Sequence, residues 1–447
     1  MNTTKIALTG FTNSGKSVFL TSLLWNLLEY DDSQQTSNFS LEDNRQEYSR
    51  FRIIPKKKVK LFPYQYFKEK LGKKEWPDRT NDLQHCFLEC KHKNGIWKRM
   101  KSLRFFKNSC IEFIDFPGER LGDMTIYENK TFCDWSNDIF TNLSNSRIFN
   151  DYLNELKSLG KDISDEDFVK QATISYKKCI VKLVCSEYRS LISPASTILK
   201  DVNGEYLFTD FIEKNPKKLN DLDFRIKWMV ENGLSGLELK KQFCPLPEEI
   251  IESRREVVKL FSQYYKEYKT KYVIPFFKEI LHVDSMAILI DIPNILASGS
   301  GKLEDQKALL TQVFDMLPKT FISKRIAFVA SKADLVGRGN QDALDNLLNS
   351  MVHSLDFNNR AITKRFLCSA CKSISNDNKG CLIGSDSKEP TAIPIAMLPN
   401  NWDQNWGPGK YRFSYVSPNT EENKDVPPDH LNLDKVFNFL VNNKKEK

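Results

Sequence analysis

Short apolar runs alternate with longer segments of helical spacing along this chain. Residues 3–9 form one such run and predict a buried strand, whereas residues 18–28 place apolar side chains on one face of a helix. The runs at residues 285–292 and 326–330 are unbroken, as expected of strands covered on both faces in a parallel sheet. Alternating strands and helices of this kind predict an α/β fold.

A hairpin is predicted in the first third of the chain. Residues 85–92 alternate apolar and polar positions, residues 103–115 form a second strand-like run, and Asn94 and Gly95 supply a turn between them. The second and third strands are therefore expected to be antiparallel. Residues 365–368 are the last predicted core strand. Helical spacing also predicts helices over residues 303–317, 341–355 and 431–441.

Helical character dominates the segment between the third and fourth core strands. Residues 121–279 are dense in Lys, Glu, Leu and Phe, contain few turn signals and show helical spacing over residues 164–191 and 248–268. We expect a large helical insertion here, which contacts a protein partner or regulates the core. The predicted division into a first core part, a helical insertion and a second core part is residues 1–120, 121–280 and 281–447.

Residues 10–17, GFTNSGKS, match the G-x-x-x-x-G-K-S pattern of a P-loop and lie between the first predicted strand and helix. Successive backbone N–H groups and the helix N-terminus form an anion site in such a loop. We expect Lys16 to reach the β- and γ-phosphates and the Ser17 hydroxyl to ligate Mg²⁺. The predicted nucleotide contacts in this loop are Asn13, Ser14, Gly15, Lys16, Ser17 and Val18.

Asp115 ends the third predicted strand and, with Gly118, matches the D-x-x-G switch pattern of GTPases. Asp115 is expected to hold a Mg²⁺-bound water, and the Gly118 N–H is expected to sense the γ-phosphate. Glu119 takes the position where many small GTPases carry a water-orienting Gln. A catalytic role for Glu119 and an ordinary loop position both remain open.

Arg79 and Thr80 lie between the P-loop helix and the second predicted strand. Thr80 stands in the correct order to complete the Mg²⁺ shell, and Arg79 beside it can neutralise charge on the transferring phosphoryl group. The alternative is that the two residues merely open the next element.

The strand at residues 326–330 delivers Ser331, Lys332 and Asp334, which resemble the N-K-x-D base-recognition element. The Asp334 carboxylate is expected to accept two hydrogen bonds from guanine, with the Lys332 stem over the ring; adenine offers no such donor pair. Ser331 replaces an Asn whose amide normally braces the loop, which leaves guanine selectivity more open.

Ser369 and Ala370 follow the last core strand and are similar to the start of an S-A-K element, in which a backbone N–H contacts the guanine carbonyl. Cys371 replaces the lysine of that pattern. The order of these residues after Asp334 favours a base contact.

Composition changes this picture little. Of the 447 residues, 40% are hydrophobic and 28% are charged, which is ordinary for a soluble globular protein. The net charge of +8 does not indicate a nucleic-acid binder. The predicted P-loop strand leaves no room for a signal peptide, so a cytoplasmic location is expected. The closest cysteine pairs, Cys86/Cys90 and Cys368/Cys371, lack a matching second pair, which makes zinc a weak interpretation.

The stretch at residues 50–74 is strongly basic and has aromatic residues among its lysines. One interpretation is an anionic surface, either nucleic acid or lipid headgroups. The favoured interpretation is a solvated charged face with the aromatics turned into the core. Nucleic acid is therefore not expected as a partner, and peripheral membrane contact is the weaker alternative.

Four stretches together carry a family resemblance. Residues 10–17, 76–80, 115–121 and 331–334 resemble the YcjX-like family of bacterial P-loop NTPases, and the likeness extends along nearly the whole chain. The resemblance implies a cytosolic GTP/GDP-binding protein of the translation-factor-like GTPase class, with a link to bacterial stress responses.

These observations predict a P-loop NTPase of GTPase-like topology. Its sheet is mostly parallel with one antiparallel hairpin, and it carries a large helical insertion. The predicted function is Mg²⁺-dependent binding of guanine nucleotide with slow hydrolysis of GTP to GDP and phosphate. The alternatives are an ATPase on the same scaffold, a nucleotide-dependent interaction module without turnover and, more weakly, a nucleic-acid-binding GTPase.

Overall fold

The structure is a computed structural model. It describes residues 3–11, 13–30, 39–41, 48–78, 82–92, 109–127, 131–160, 162–186, 211, 214–215, 218, 221–234, 241–316, 324–336, 338–353, 355, 361–373, 397–413, 416–420 and 425–442. Among the helices in these ranges, none has the length and apolar character needed to cross a membrane.

Seven strands within the described residues form one sheet in the order β2-β3-β4-β1-β5-β6-β7. They are Thr3–Gly10 (β1), Tyr48–Ile53 (β2), Gln84–His92 (β3), Ser109–Asp115 (β4), Ser285–Ile290 (β5), Lys324–Ala330 (β6) and Ala361–Leu367 (β7). Strand β3 pairs antiparallel with both β2 and β4, while β4, β1, β5, β6 and β7 are all parallel. The predicted α/β fold with a mostly parallel sheet is therefore confirmed, whereas Asn94 and Gly95 of the hairpin turn lie outside the described residues.

The sheet core follows from the strand periodicity. Strand β5 is buried along its whole length, which matches its continuous apolar sequence SMAILI. Alternate side chains of the other strands pack with helices α1 (Lys16–Leu28), α2 (Tyr64–Gly72) and α14 (Leu433–Val441) in one apolar cluster. On the opposite side of β6, Phe328 packs against Phe314 with ring centroids 5.7 Å apart.

Two compact units make up the chain. The first contains residues 1–118, 280–303 and 314–447 and includes the sheet, and the second contains residues 119–279 and 304–313 and is helical. Within the described residues, the other α-helices of the two units are Met124–Tyr127 (α3), Phe132–Asn142 (α4), Arg147–Ser158 (α5), Asp165–Ser186 (α6), Leu222–Leu234 (α7), Glu248–Ser253 (α8), Arg255–Tyr268 (α9), Ile274–Leu281 (α10), Ile292–Ser298 (α11), Ser300–Met316 (α12) and Gln341–Val352 (α13).

The helical unit has its own aromatic core and its own start signals. Helix α4 begins at Thr131, whose side chain accepts from the Asp134 N–H while the Asp134 carboxylate accepts from the Thr131 N–H, a capping box. Trp135 is fully buried and packs edge-on against Phe243 at 5.3 Å between ring centroids. Burial of large aromatic rings accounts for much of the stability of a small helical core.

Residues 248–268 are helical, as their spacing indicates, with one interruption. The structure has two helices, α8 and α9, separated at Arg254, where φ is −119° and ψ is 66°. The Arg254 guanidinium donates to Asp165 Oδ1 at 2.7 Å and to the Gly160 carbonyl at 3.0 Å. These contacts with residues distant in sequence outweigh the local helical preference, which the apolar spacing alone cannot reveal.

The basic stretch forms two elements that the spacing analysis did not predict, strand β2 and helix α2. Tyr64, Phe67 and Leu71 follow helical spacing and are buried, and Phe62 is buried before them. The lysines from Lys56 to Lys60 are exposed. Three of the four aromatics therefore lie in the core as the favoured interpretation expects, whereas Tyr66 is exposed. The interpretation that this charged face binds no nucleic acid stays a prediction.

Candidate functional site

The carboxyl ends of the five parallel strands carry nearly all the predicted site residues that the structure describes. Gly10 ends β1, Asp115 ends β4, and Asp291 follows β5 directly. Strand β6 ends at Ala330 and β7 at Leu367, just before the two predicted base-contact segments. Because these strands are parallel, their carboxyl ends lie at the same end of the sheet, and the fold brings these segments together there. Ligands of open α/β sheets bind outside the carboxyl ends of the strands.

The loop at residues 10–17 turns tightly from β1 into α1. Gly10 has φ of 147°, and a Cβ at this position would lie 2.4 Å from the Leu289 carbonyl oxygen of β5. Asn13 and Gly15 have φ of 68° and 85°, and Gly15 is the residue that caps α1. Left-handed residues next to a helix start turn consecutive N–H groups inward, which makes an anion-binding concavity.

Lys16 is buried across this loop. Its Nζ donates to the Gly10 carbonyl at 3.0 Å and to the Phe11 carbonyl at 3.2 Å, so the ammonium spans the loop. The first turn of α1 contains no acidic residue that would repel an anion. No group in the described part of the chain hydrogen-bonds to the buried Ser14 hydroxyl, so it can serve a ligand. The donors present therefore fit a phosphate.

Asp115 and Ser17 are the predicted metal-site residues that the structure describes. Asp115 is fully buried and opposite Leu8 in the β1–β4 register, and the Phe116 N–H donates to the Leu8 carbonyl at 2.9 Å. Ser17 lies in the first turn of α1. A hydroxyl at a helix start and a carboxylate at a strand end are the kinds of oxygen donor that Mg²⁺ uses alongside substrate phosphates. The donor types therefore fit Mg²⁺.

The remaining switch residues are described only in part. Arg79 and Thr80 lie outside the described residues. Gly118 opens a short 3₁₀ turn, Gly118–Asp123, directly after β4. The backbone of Glu119 belongs to this turn, and nothing is described of its side chain. The interpretations of Arg79, Thr80 and Glu119 stay predictions.

Asp334 is buried, with 7% of its surface exposed, and its carboxylate is held from two sides. The Ser369 hydroxyl donates to Oδ1 at 2.5 Å, and the Ser373 N–H donates to Oδ2 at 2.6 Å. A carboxylate offers about four lone-pair sites, so two remain for a ligand. The structure thus brings Ser369 to Asp334, and it adds Ser373, which belongs to no recognisable motif.

Lys332 adopts a left-handed conformation, with φ of 57°, and its Nζ lies 2.6 Å from Asp291 Oδ2. The other Asp291 oxygen accepts from the Asn294 N–H at 3.0 Å and caps α11. Asp291 is therefore a further site residue, and its place at the end of an apolar strand was the signal for it. Ser331 donates from its hydroxyl to the Ile290 carbonyl at 3.3 Å, away from the base-contact segment.

Ala370 and Cys371 follow Ser369 in the second base-contact segment. Burial raises the pKa of the Cys371 thiol, and the Asp334 carboxylate adds to this effect. The thiol is therefore neutral and cannot replace the charge of the lysine in the S-A-K pattern. Ala370 is half-buried beside it.

A family model and a named relative both match this chain. The model of the YcjX-like family, DUF463, matches residues 4–211 and 238–444. This chain belongs to the YcjX-like family. A relative from Shewanella oneidensis, named Ras-like GTPase YcjX, is 22% identical over 99% of this chain and 94% of its own length.

Family membership covers both compact units. The matched residues include the sheet, the loop at residues 10–17, both base-contact segments and most of the helical unit. The helical unit is thus part of the family's architecture.

Proposed function

We propose that this chain is a Mg²⁺-dependent guanine-nucleotide-binding protein that slowly hydrolyses GTP to GDP and phosphate. The observation that carries the proposal is the Asp334 carboxylate, held by two hydrogen bonds at the same sheet edge as the P-loop. Its remaining lone pairs suit the N1–H and exocyclic amine of guanine, which adenine lacks. The name of the Shewanella relative, a Ras-like GTPase, supports the same assignment.

The phosphate side is assigned to the P-loop and the metal-site residues. Lys16 and the amides of residues 13–18 bind and neutralise the β- and γ-phosphates. Ser17, Thr80 and a water on Asp115 would hold Mg²⁺, which would neutralise part of the negative charge of the phosphates.

Hydrolysis is assigned to positioning and charge neutralisation. The Gly118 N–H contacts the γ-phosphate, Arg79 neutralises charge as the phosphoryl group transfers, and Glu119 orients the attacking water. A carboxylate in place of an amide repels the phosphate oxygens, so we expect slow turnover.

The base side is assigned to the two segments at the ends of β6 and β7. Asp334 reads the guanine donors, the Lys332 stem covers the ring, and the Ala370 N–H contacts the guanine carbonyl. Ser369 orients Asp334 through its hydroxyl.

The decisive experiment is a comparison of GDP and ADP dissociation constants, with Mg²⁺, for the wild type, Lys16→Ala and Asp334→Asn. We expect tighter GDP binding by the wild type, loss of both nucleotides in Lys16→Ala, and loss of the guanine preference in Asp334→Asn. Xanthine carries a carbonyl where guanine has its amine, so an Asn amide can donate to it. Gained xanthosine diphosphate binding by Asp334→Asn would show that the variant is folded and that residue 334 reads the base.

The outcomes separate the alternatives. Equal GDP and ADP binding by the wild type, unchanged by Asp334→Asn, would favour an ATPase or an unselective NTPase. Single-turnover hydrolysis tests the enzymatic part: no phosphate release above buffer, with nucleotide binding retained, would favour a non-hydrolysing interaction module.

We propose a cytoplasmic, stress-linked regulatory role in which the helical insertion, residues 121–280, contacts a partner protein.

A further inference from the structure

The segment that follows β7, residues 368–373, is called the base loop here because it holds the base-reading carboxylate. Ser369 and Ser373 supply the two donors to Asp334. Hydrogen bonds to a base edge require placement of the acceptor within about half an ångström. Whatever fixes the base loop therefore fixes the direction in which Asp334 presents its lone pairs.

A segment near the C-terminus, residues 429–432, fixes the base loop through the backbone. Ser369 and Leu431 exchange both of their backbone hydrogen bonds, at 3.1 Å and 2.8 Å, as in an antiparallel bridge. The Lys372 N–H donates to the Asp429 carbonyl at 2.8 Å. These backbone hydrogen bonds tie both ends of the loop to a segment that is distant in sequence.

Asn432 adds a side-chain contact to this arrangement. Its Nδ2 donates to the Leu367 carbonyl at 2.8 Å, just where β7 gives way to the base loop. Asn432 has φ of 56° and precedes α14, yet its side chain does not cap that helix. Asn tolerates the left-handed region better than most residues and usually caps or turns the backbone locally. Here its amide instead fixes the last residue of β7, from which the base loop starts.

Helix α14 anchors Asn432 to the sheet core. Leu433, Val436 and Phe437 are fully buried in the apolar cluster beneath β5 and β6. The amide therefore acts from a rigid support. The Ser331 hydroxyl, by contrast, donates to the Ile290 carbonyl and points away from the base loop. Residues 429–432 hold the base loop instead.

We propose that Asn432 is a positioning residue for base recognition, and that its amide holds the base loop so that Asp334 meets guanine in a fixed geometry. This inference rests on the proposed function, because it concerns the selectivity of the same site. The proposal explains how the base loop keeps a defined shape although Ser331 stands where the N-K-x-D pattern has an Asn whose amide braces the loop. Asn432 would not touch the nucleotide, so its effect appears in selectivity for the base and leaves the phosphate interactions unchanged.

The test compares Asn432→Gly with the wild type by GDP and ADP dissociation constants in the presence of Mg²⁺. Gly accepts the positive φ without strain, so the variant removes the side chain without forcing the backbone into a new conformation; the added chain flexibility lowers stability and is monitored by the thermal midpoint. Loss of one hydrogen bond that orders the site should weaken GDP binding by about five-fold, while ADP binding stays within about two-fold because it depends on the phosphates.

Asn438→Ala is the matched control. Asn438 lies on α14, the helix that Asn432 precedes, and its Nδ2 donates to the Ser40 carbonyl at 2.9 Å, away from the base loop. The control should lose a comparable amount of thermal stability and keep the wild-type ratio of GDP to ADP affinity. A wild-type ratio of GDP to ADP affinity in Asn432→Gly would overturn the inference, as would an equal fall of that ratio in Asn432→Gly and Asn438→Ala. Either result would leave the proposed function standing. A wild type without guanine preference would overturn both.

Discussion

Gly10 gives the sharpest stability prediction, because its backbone and its surroundings both exclude a side chain. Non-bonded heavy atoms meet at about 3.5–4.0 Å. A methyl group on Gly10 would lie 2.4 Å from the Leu289 carbonyl oxygen and 2.8 Å from Ser14 Oγ. The Ser14 side chain can rotate away, but the Leu289 oxygen belongs to the backbone of β5. In Gly10→Ala, β1 and β5 must therefore separate or the P-loop must deform.

The cost of this substitution has two parts. A non-glycine residue in a sparsely populated region of φ, here 147°, costs about 1–3 kcal/mol. Overpacking against the backbone of a neighbouring strand costs about a further 1–3 kcal/mol. We therefore expect Gly10→Ala to lower the free energy of unfolding by about 2–6 kcal/mol, a large share of the stability of an ordinary protein.

Two other glycines separate strain from overlap. Gly15 has φ of 85°, and a methyl group there would meet no described atom within 4 Å, so Gly15→Ala should show only the backbone cost, about 1–2 kcal/mol. Gly72 lies in α2 with the same open space among the described residues, and Gly72→Ala should be neutral or stabilising by up to about 1 kcal/mol. Urea unfolding of the nucleotide-free proteins, followed by circular dichroism, measures all three. A midpoint for Gly10→Ala equal to that of Gly15→Ala would refute the overlap with β5.

Two further predictions concern buried polar groups. Burial lowers the pKa of His430, and the nearby Asp434 only partly offsets this effect. As the pH falls, the unfolded chain therefore binds a proton at His430 before the folded chain does. The free energy of unfolding should consequently fall as the pH drops below about 6.5. The urea midpoint is measured above and below that pH for the wild type and His430→Phe. Its fall from the higher to the lower pH should be smaller in His430→Phe, and an equal fall in both proteins would contradict this. The buried Tyr152 hydroxyl donates to the Pro245 carbonyl at 2.7 Å, so Tyr152→Phe should cost about 1–3 kcal/mol. Tyr66→Phe, which removes a hydrogen bond to an exposed carboxylate, is the control and should change the thermal midpoint much less.

Six of the seven described strands, all except β2, and their order along the chain could be predicted because their signals are local. Strand β5 is a single apolar run, and the P-loop sequence lies directly between β1 and α1. Helix α2 was missed for a physical reason. Its apolar positions occupy one narrow stripe, and the surrounding lysines dominate the composition of the stretch.

The base side of the site could be predicted only in part. Asp334 and Ser369 belong to short recognisable patterns, but Ser373 and Asn432 do not. Ser373 and Asn432 act through hydrogen bonds to groups 39 and 65 residues away in sequence. Pairing at such separations depends on how the strands are ordered in the sheet, which no local pattern contains.

The two halves of the proposed site therefore depend on the fold in different ways. Lys16 reaches its carbonyl partners across at most six residues, so the phosphate half needs only β1, α1 and the adjoining strands. The Asp334 half is complete only when the base loop meets residues 429–432 near the end of the chain. Local contacts form at low entropic cost, whereas contacts that close a long loop require the rest of the fold first. We therefore expect changes far from the nucleotide to affect guanine selectivity more than phosphate binding.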